Sequence, residues 1–137
     1  MKDKQRMFEL RFLVRDYECD LQGIVNNAEY LHYLEHTRHE FLKSLGLDFH
    51  ELHEKGLDAV VIRLEIDYRF PLKSGDRFVV RLSLKKRGRL RYIFFQHIFS
   101  LPDHRPILDA EVTCACLFKG KPVASEEIDR AAAMYLD

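Results

Sequence analysis

The chain has 137 residues, 47% hydrophobic and 32% charged, a balance that builds one folded domain over residues 1–137 and excludes a disordered chain. Its 22 basic and 22 acidic residues cancel, so no global field draws it to nucleic acid or to an anionic membrane. No apolar run approaches the roughly 20 residues that span a bilayer. The charged residues 1–6 have no apolar stretch behind them, so no signal peptide is expected. Cys19, Cys114 and Cys116 form an odd set that does not suit a disulfide framework, and a cytoplasmic protein is predicted.

In chain order, alternation of Phe8, Leu10, Phe12 and Val14 with Glu9 and Arg11 predicts a half-buried strand over residues 7–14. The alternation breaks over residues 15–25, read as a loop holding Asp16, Asp20 and Gly23. A helix is predicted over residues 27–45. Asn26 is its cap, Glu29 stands where a capping box puts an acid, and Gly46 is its stop. Tyr30, Leu31, Leu34, Phe41, Leu42 and Leu45 gather on its apolar face. A short helix over residues 49–55 ends at Gly56. Period-2 patterns then predict strands through Val60–Phe70, Phe78–Leu84, residues 89–100 and Ala110–Phe118, with turns at Ser74-Gly75-Asp76, Gly88, residues 101–106 and Lys119-Gly120-Lys121-Pro122. The third of these is apolar on both faces (Ile93, Phe94, Phe95, Ile98) and belongs in the middle of the sheet. Ser125 caps a short helix in the tail. One long helix on one antiparallel sheet is an α+β architecture, whose bare sheet edges favour a homo-oligomer.

The segment from Asp16 to Tyr30 carries the chemistry. Asp20 lies a few residues before a helix N-terminus, where backbone N–H groups have no intrahelical partner and the dipole favours negative charge. An acyl carbonyl placed there meets an N–H donor that binds it more strongly once it becomes an oxyanion. Asp20 supplies the other half, as nucleophile or as general base on water. Thioesters suit this machinery because the departing thiolate is a weak base. Gly23 permits a tight turn or a close ligand approach.

The run Cys19-Asp20-x-x-Gly23-Ile24-Val25-Asn26-Asn27-x-x-Tyr30-Leu31-x-Tyr33-Leu34-Glu35-x-x-Arg38 resembles the signature of the 4-hydroxybenzoyl-CoA thioesterase family and the similar YbgC-like acyl-CoA thioesterases. Ile66-x-Tyr68-x-x-Pro71-x-x-x-Gly75-Asp76 and Gly120-Lys121-Pro122 are similar too, so the likeness covers nearly the whole chain. It implies a hotdog fold, a long central helix wrapped by a curved five-stranded antiparallel sheet. It also implies acyl-CoA hydrolysis with Asp20 as catalytic carboxylate, the N–H near Asn27 as carbonyl polariser and Gly23 as loop glycine. No cofactor beyond the CoA of the substrate is implied, and the assembly is a homodimer or homotetramer with active sites between subunits. Asn26 and Tyr30 join Gly23 as expected substrate contacts. The acyl group, and coenzyme A against acyl carrier protein as thiol carrier, are left open.

Other features have competing explanations. Lys85, Lys86, Arg87, Arg89 and Arg91 surround Gly88; this basic hairpin is a solvated turn or a clamp for CoA phosphates, with Lys86, Arg87 and Arg89 the clamp candidates. His32, His36 and His39 share the helix side opposite Leu34 and Phe41, which argues for solvent and against a metal. Arg38 falls on the apolar face and is expected in an ion pair that fixes helix on sheet. Cys19 has no obvious histidine partner as a nucleophile. Two rivals stand beside hydrolysis. One is a hotdog hydratase or dehydratase, which needs a His paired with a carboxylate. The other is a non-catalytic acyl-CoA binder.

Overall fold

A computed structural model describes residues 6–136; residues 1–5, on which the signal-peptide expectation rests, and Asp137 lie outside the described residues. The order is β1 (Phe8–Leu13), a 3-10 turn (Asp16–Glu18), α1 (Asn27–Ser44), α2 (Phe49–Glu54), β2 (Leu57–Tyr68), β3 (Arg77–Arg87), β4 (Arg91–Leu101), β5 (Pro106–Phe118), β6 (Lys121–Val123) and α3 (Glu126–Ala131). The five long strands pair antiparallel in the order β1-β3-β4-β5-β2, with β4 in the middle as its two apolar faces predict. Lys121 and Pro122, expected in a turn, instead enter β6, which pairs Cys116 with Val123 and prolongs the sheet past the end of β4. The long helix lies against one face of this sheet, the hotdog arrangement that the resemblance implies.

The helix starts where its cap says. Asn26 Oδ1 accepts from the Ala28 N–H at 2.9 Å. The capping box is not closed: Glu29 turns to His32 Nδ1 at 3.3 Å. The buried stripe of α1 is Tyr30, Tyr33, Leu34, Thr37, Phe41 and Leu42. Leu31, expected on it, is exposed, because the stripe is rotated towards Tyr33 and Thr37. Phe41, fully buried, meets Phe94 of β4 edge-on at 6.1 Å and Phe8 of β1 at 5.6 Å, joining helix to sheet. Ser125 Oγ caps α3 on the Ile128 N–H at 3.2 Å. Among the described residues no helix is long and apolar enough to cross a membrane.

β2 is an edge strand, and it is not covered as its sequence suggests. Val61, Leu64 and Tyr68 pair with Cys114, Val112 and Leu108 and so point to the helix side, yet they are 48%, 41% and 52% exposed. A register shift between Val61 and Arg63 bends the strand there.

Candidate active site

The loop before α1 is a small hairpin. Cys19 bridges Val25, the Asp20 N–H donates to Ile24 O at 2.8 Å, and the Gly23 N–H returns to Asp20 O at 3.0 Å. Asp20 Oδ1 accepts from the Gln22 N–H at 2.8 Å, the side-chain turn that Asp favours. The other carboxylate oxygen has no partner among the described residues, and Asp20 is exposed. Gly23 has φ +83°, and a Cβ there would meet nothing within 4 Å. The glycine is therefore demanded by the left-handed backbone of the turn and not by close approach of another group.

The hairpin delivers the chain directly into α1. Of the first N–H groups of the helix, Ala28 donates to Asn26 Oδ1 and Glu29 to Asn26 O. The Asn27 N–H is left without a partner among the described residues. It lies at the positive end of an 18-residue helix. Asp20 and this donor are thus held by one ladder: the Asn26 N–H donates to Glu18 O at 2.9 Å, next to the Cys19–Val25 bridge.

Glu18, which is not among the residues the sequence singles out, anchors the loop. It is only 8% exposed, and its Oε1 accepts from the Arg15 N–H at 2.8 Å and the Tyr33 hydroxyl at 3.0 Å. Burial, and then the Glu18 bond, push the Tyr33 phenol well above its ordinary pKa. No local pattern singles Glu18 out, because its partner Tyr33 stands 15 positions away. Glu18→Ala strands both donors, and a loss of about 1–3 kcal/mol is expected in urea denaturation. Tyr33→Phe removes only one donor and leaves Glu18 its Arg15 partner, so a smaller loss is expected.

Several expected contacts are reassigned. Asn26 spends its side-chain oxygen on the helix cap. Tyr30 is 3% exposed and its hydroxyl accepts from the Leu72 N–H at 3.1 Å, tying α1 to the β2–β3 connection rather than presenting itself to a ligand. Lys86 bridges to Asp129 of α3 at 2.7 Å. Arg87 and Arg89 are exposed, but at the wrong end of the sheet. The Asp20 hairpin bridges Lys73 through Ile24, beside the Arg77 end of β3. β3 is 11 residues long, so its Arg87 end lies about 33 Å further along the strand. Within one chain, no CoA clamp on Lys86, Arg87 and Arg89 belongs to the Asp20 site. Arg38 makes no ion pair among the described residues; it donates to Gln96 Oε1 at 2.9 Å, because the facing sheet position is an amide and not a carboxylate. His32, His36 and His39 each face a separate carboxylate of α1, Glu29, Glu40 and Glu35. Burial and its acidic neighbours push the Cys19 thiol up, away from thiolate character. A His–Asp pair does exist, His97 Nδ1 to Asp109 Oδ1 at 2.6 Å, with Arg69 on the same carboxylate. His97 lies one residue from Gln96, whose side chain points to α1, so the pair belongs to the opposite face of the sheet and serves no helix-side carbonyl.

The model of the thioesterase-like superfamily matches residues 14–130. The chloroplastic acyl-acyl carrier protein thioesterase ATL2 of Arabidopsis thaliana is 42% identical over 109 residues, covering 80% of this chain and 58% of that protein. The chain therefore spans little more than half the length of this plant relative. The acyl-CoA thioesterase YbgC of Haemophilus influenzae is 32% identical over 128 residues, covering 91% of this chain and 94% of that protein. The crystal structure of a hypothetical protein of Aquifex aeolicus superposes with a TM-score of 0.84 at 30% identity, covering 90% of this chain and 98% of that one. On its sequence and its backbone together, the chain belongs to the thioesterase-like superfamily.

Proposed function

We propose that this chain hydrolyses an acyl-CoA thioester to a carboxylic acid and free coenzyme A, with Asp20 as nucleophile or general base and the Asn27 N–H as carbonyl polariser. The observation that carries the reading is the pairing of a half-free carboxylate with the one uncommitted N–H among the first three of α1, on the same hairpin. As the thioester carbon becomes tetrahedral, charge gathers on its oxygen, and the donor at the positive helix end stabilises it. If Asp20 attacks directly, a mixed anhydride forms, thiolate leaves, and water then cleaves the anhydride. If Asp20 acts as base, it takes the proton of the attacking water. Either route consumes one water and needs no metal or redox cofactor. Relatives named for acyl-CoA and for acyl-acyl carrier protein thioesters support the substrate class. Three thiols suit a reducing cytoplasm.

The test is free-thiol release across a panel of acyl-CoAs. A binder retains the thioester, and retention across the panel sinks the reading.

The same reading includes a second copy of the chain. Asp20 and Asn27 are exposed in one chain, and a carbonyl held there needs walls that exclude water. The apolar edge of β2 offers the surface: Val61, Leu64 and Tyr68, the last in ring contact with Tyr30 of α1 at 5.6 Å. Leu64→Glu places a charge on that edge. Sedimentation is expected to show a monomer, and hydrolysis is expected to fall with it. An unchanged sedimentation coefficient would put the interface elsewhere.

A further inference from the structure

A cavity of about 360 Å³ lies between α1, α2 and the β2 side of the sheet, within the size range of small-molecule sites. Leu42, Phe49, Leu84, Phe94 and Ile128 give it apolar walls. Arg38, with Glu35 and His39 on the same helix, breaks the apolar lining. The Arg38 guanidinium is half-buried at the wall, where burial works against the charged form. The rim carboxylate, Glu35, faces His39 at 4.0 Å, and among the described residues none comes within that distance of Arg38. The guanidinium instead donates once, to fully buried Gln96, whose own amide is fixed by donation to Leu34 O at 3.0 Å. A half-buried cation with one neutral hydrogen-bond partner, and with Glu35 near but beyond ion-pair distance, keeps donors open to the cavity that an anionic acceptor can take.

We propose that this cavity binds an aliphatic carboxylic acid, with its carboxylate on Arg38 and its alkyl chain against Leu84, Phe94 and Ile128. The planar fork of Arg matches a carboxylate, and one cation balances one carboxylate charge. Gln96, Phe94 and Tyr92 alternate along one face of β4, so a chain running from Arg38 towards Tyr92 has about 13 Å of strand beneath it. Hydrolysis of an acyl thioester releases a molecule of this class, which makes the cavity a product site. That link rests on the function proposed above, whereas the binding does not.

Titration calorimetry of the full chain with octanoate, 1-octanol and octylamine tests it. Octanoate is expected to bind one per chain, octanol about tenfold or more weakly, and the ammonium not detectably. Arg38→Met, with its fold checked by circular dichroism, is expected to bring octanoate down to the affinity of octanol and leave octanol unchanged. Absence of octanoate binding, equal affinity for octanol, or an unchanged Arg38→Met affinity overturns the proposal. If Arg38→Met does not fold, the three probes on the wild-type chain decide alone. A chain that binds octanoate and hydrolyses no acyl-CoA defeats the proposed function but not this site; a hydrolase that ignores octanoate does the reverse.

Discussion

Asp20→Asn is expected to slow free-thiol release from acyl-CoA by about 10²–10⁴-fold while changing stability by no more than about 0.5 kcal/mol. The two effects separate because the two carboxylate oxygens do different things. Oδ1 accepts from the Gln22 N–H and shapes the turn. An Asn side chain keeps that acceptor, so the Cys19–Val25 hairpin stands. What it loses is the negative charge that attacks carbon or takes a proton from water. A purely structural Asp20 would leave the rate where it was, and a rate within about twofold of wild type ends the catalytic assignment. Thiol release and urea denaturation on the same preparation measure both quantities.

Asn27→Pro is expected to lower the same rate by about 10²–10³-fold, the cost of losing one oxyanion donor. A backbone N–H cannot be deleted by trimming a side chain, but proline deletes it, and this position accepts proline. Asn27 is the first residue of α1, where the N–H has no intrahelical partner and the proline ring fits the helix. The preceding residue must be extended, and Asn26 already has φ −64° and ψ 138°. The helix and its Asn26 cap to Ala28 are therefore retained, and circular dichroism is expected to match wild type. An active Asn27→Pro chain would show that the carbonyl is polarised elsewhere.

Much of this site was readable before any coordinates. Asn26 as cap, Asp20 and Gly23 in a tight turn, and a free donor at the helix start are all consequences of residues within about ten positions of one another. Glu18 was not readable. A lone acid between Tyr17 and Cys19 looks like a loop charge until Tyr33 folds over it. The clamp on Lys86, Arg87 and Arg89 does not reach Asp20 within one chain, for a related reason. Clustering in sequence says that charges share a hairpin, not which end of the sheet the hairpin occupies. Only the pairing of β3, with Arg77 beside the Asp20 hairpin and Arg87 beside Arg91, places them far from Asp20. The expected ion pair of Arg38 depended on a residue 58 positions away, which is Gln96.

By itself the sequence determined the long elements and most of their inward faces, Leu31 of α1 being the exception and β6 the short strand it did not show. Caps, turn glycines and hydrophobic period act through hydrogen bonds and sterics over one or two turns of chain. The tertiary structure alone decided that β2 is an edge with its apolar side uncovered, that Glu18 is buried, and that Arg38 stands at a cavity wall with an amide, Gln96, as its hydrogen-bond partner. Those outcomes depend on which strands lie side by side. That order is set by burying the faces of all the elements at once, a condition that no local pattern contains.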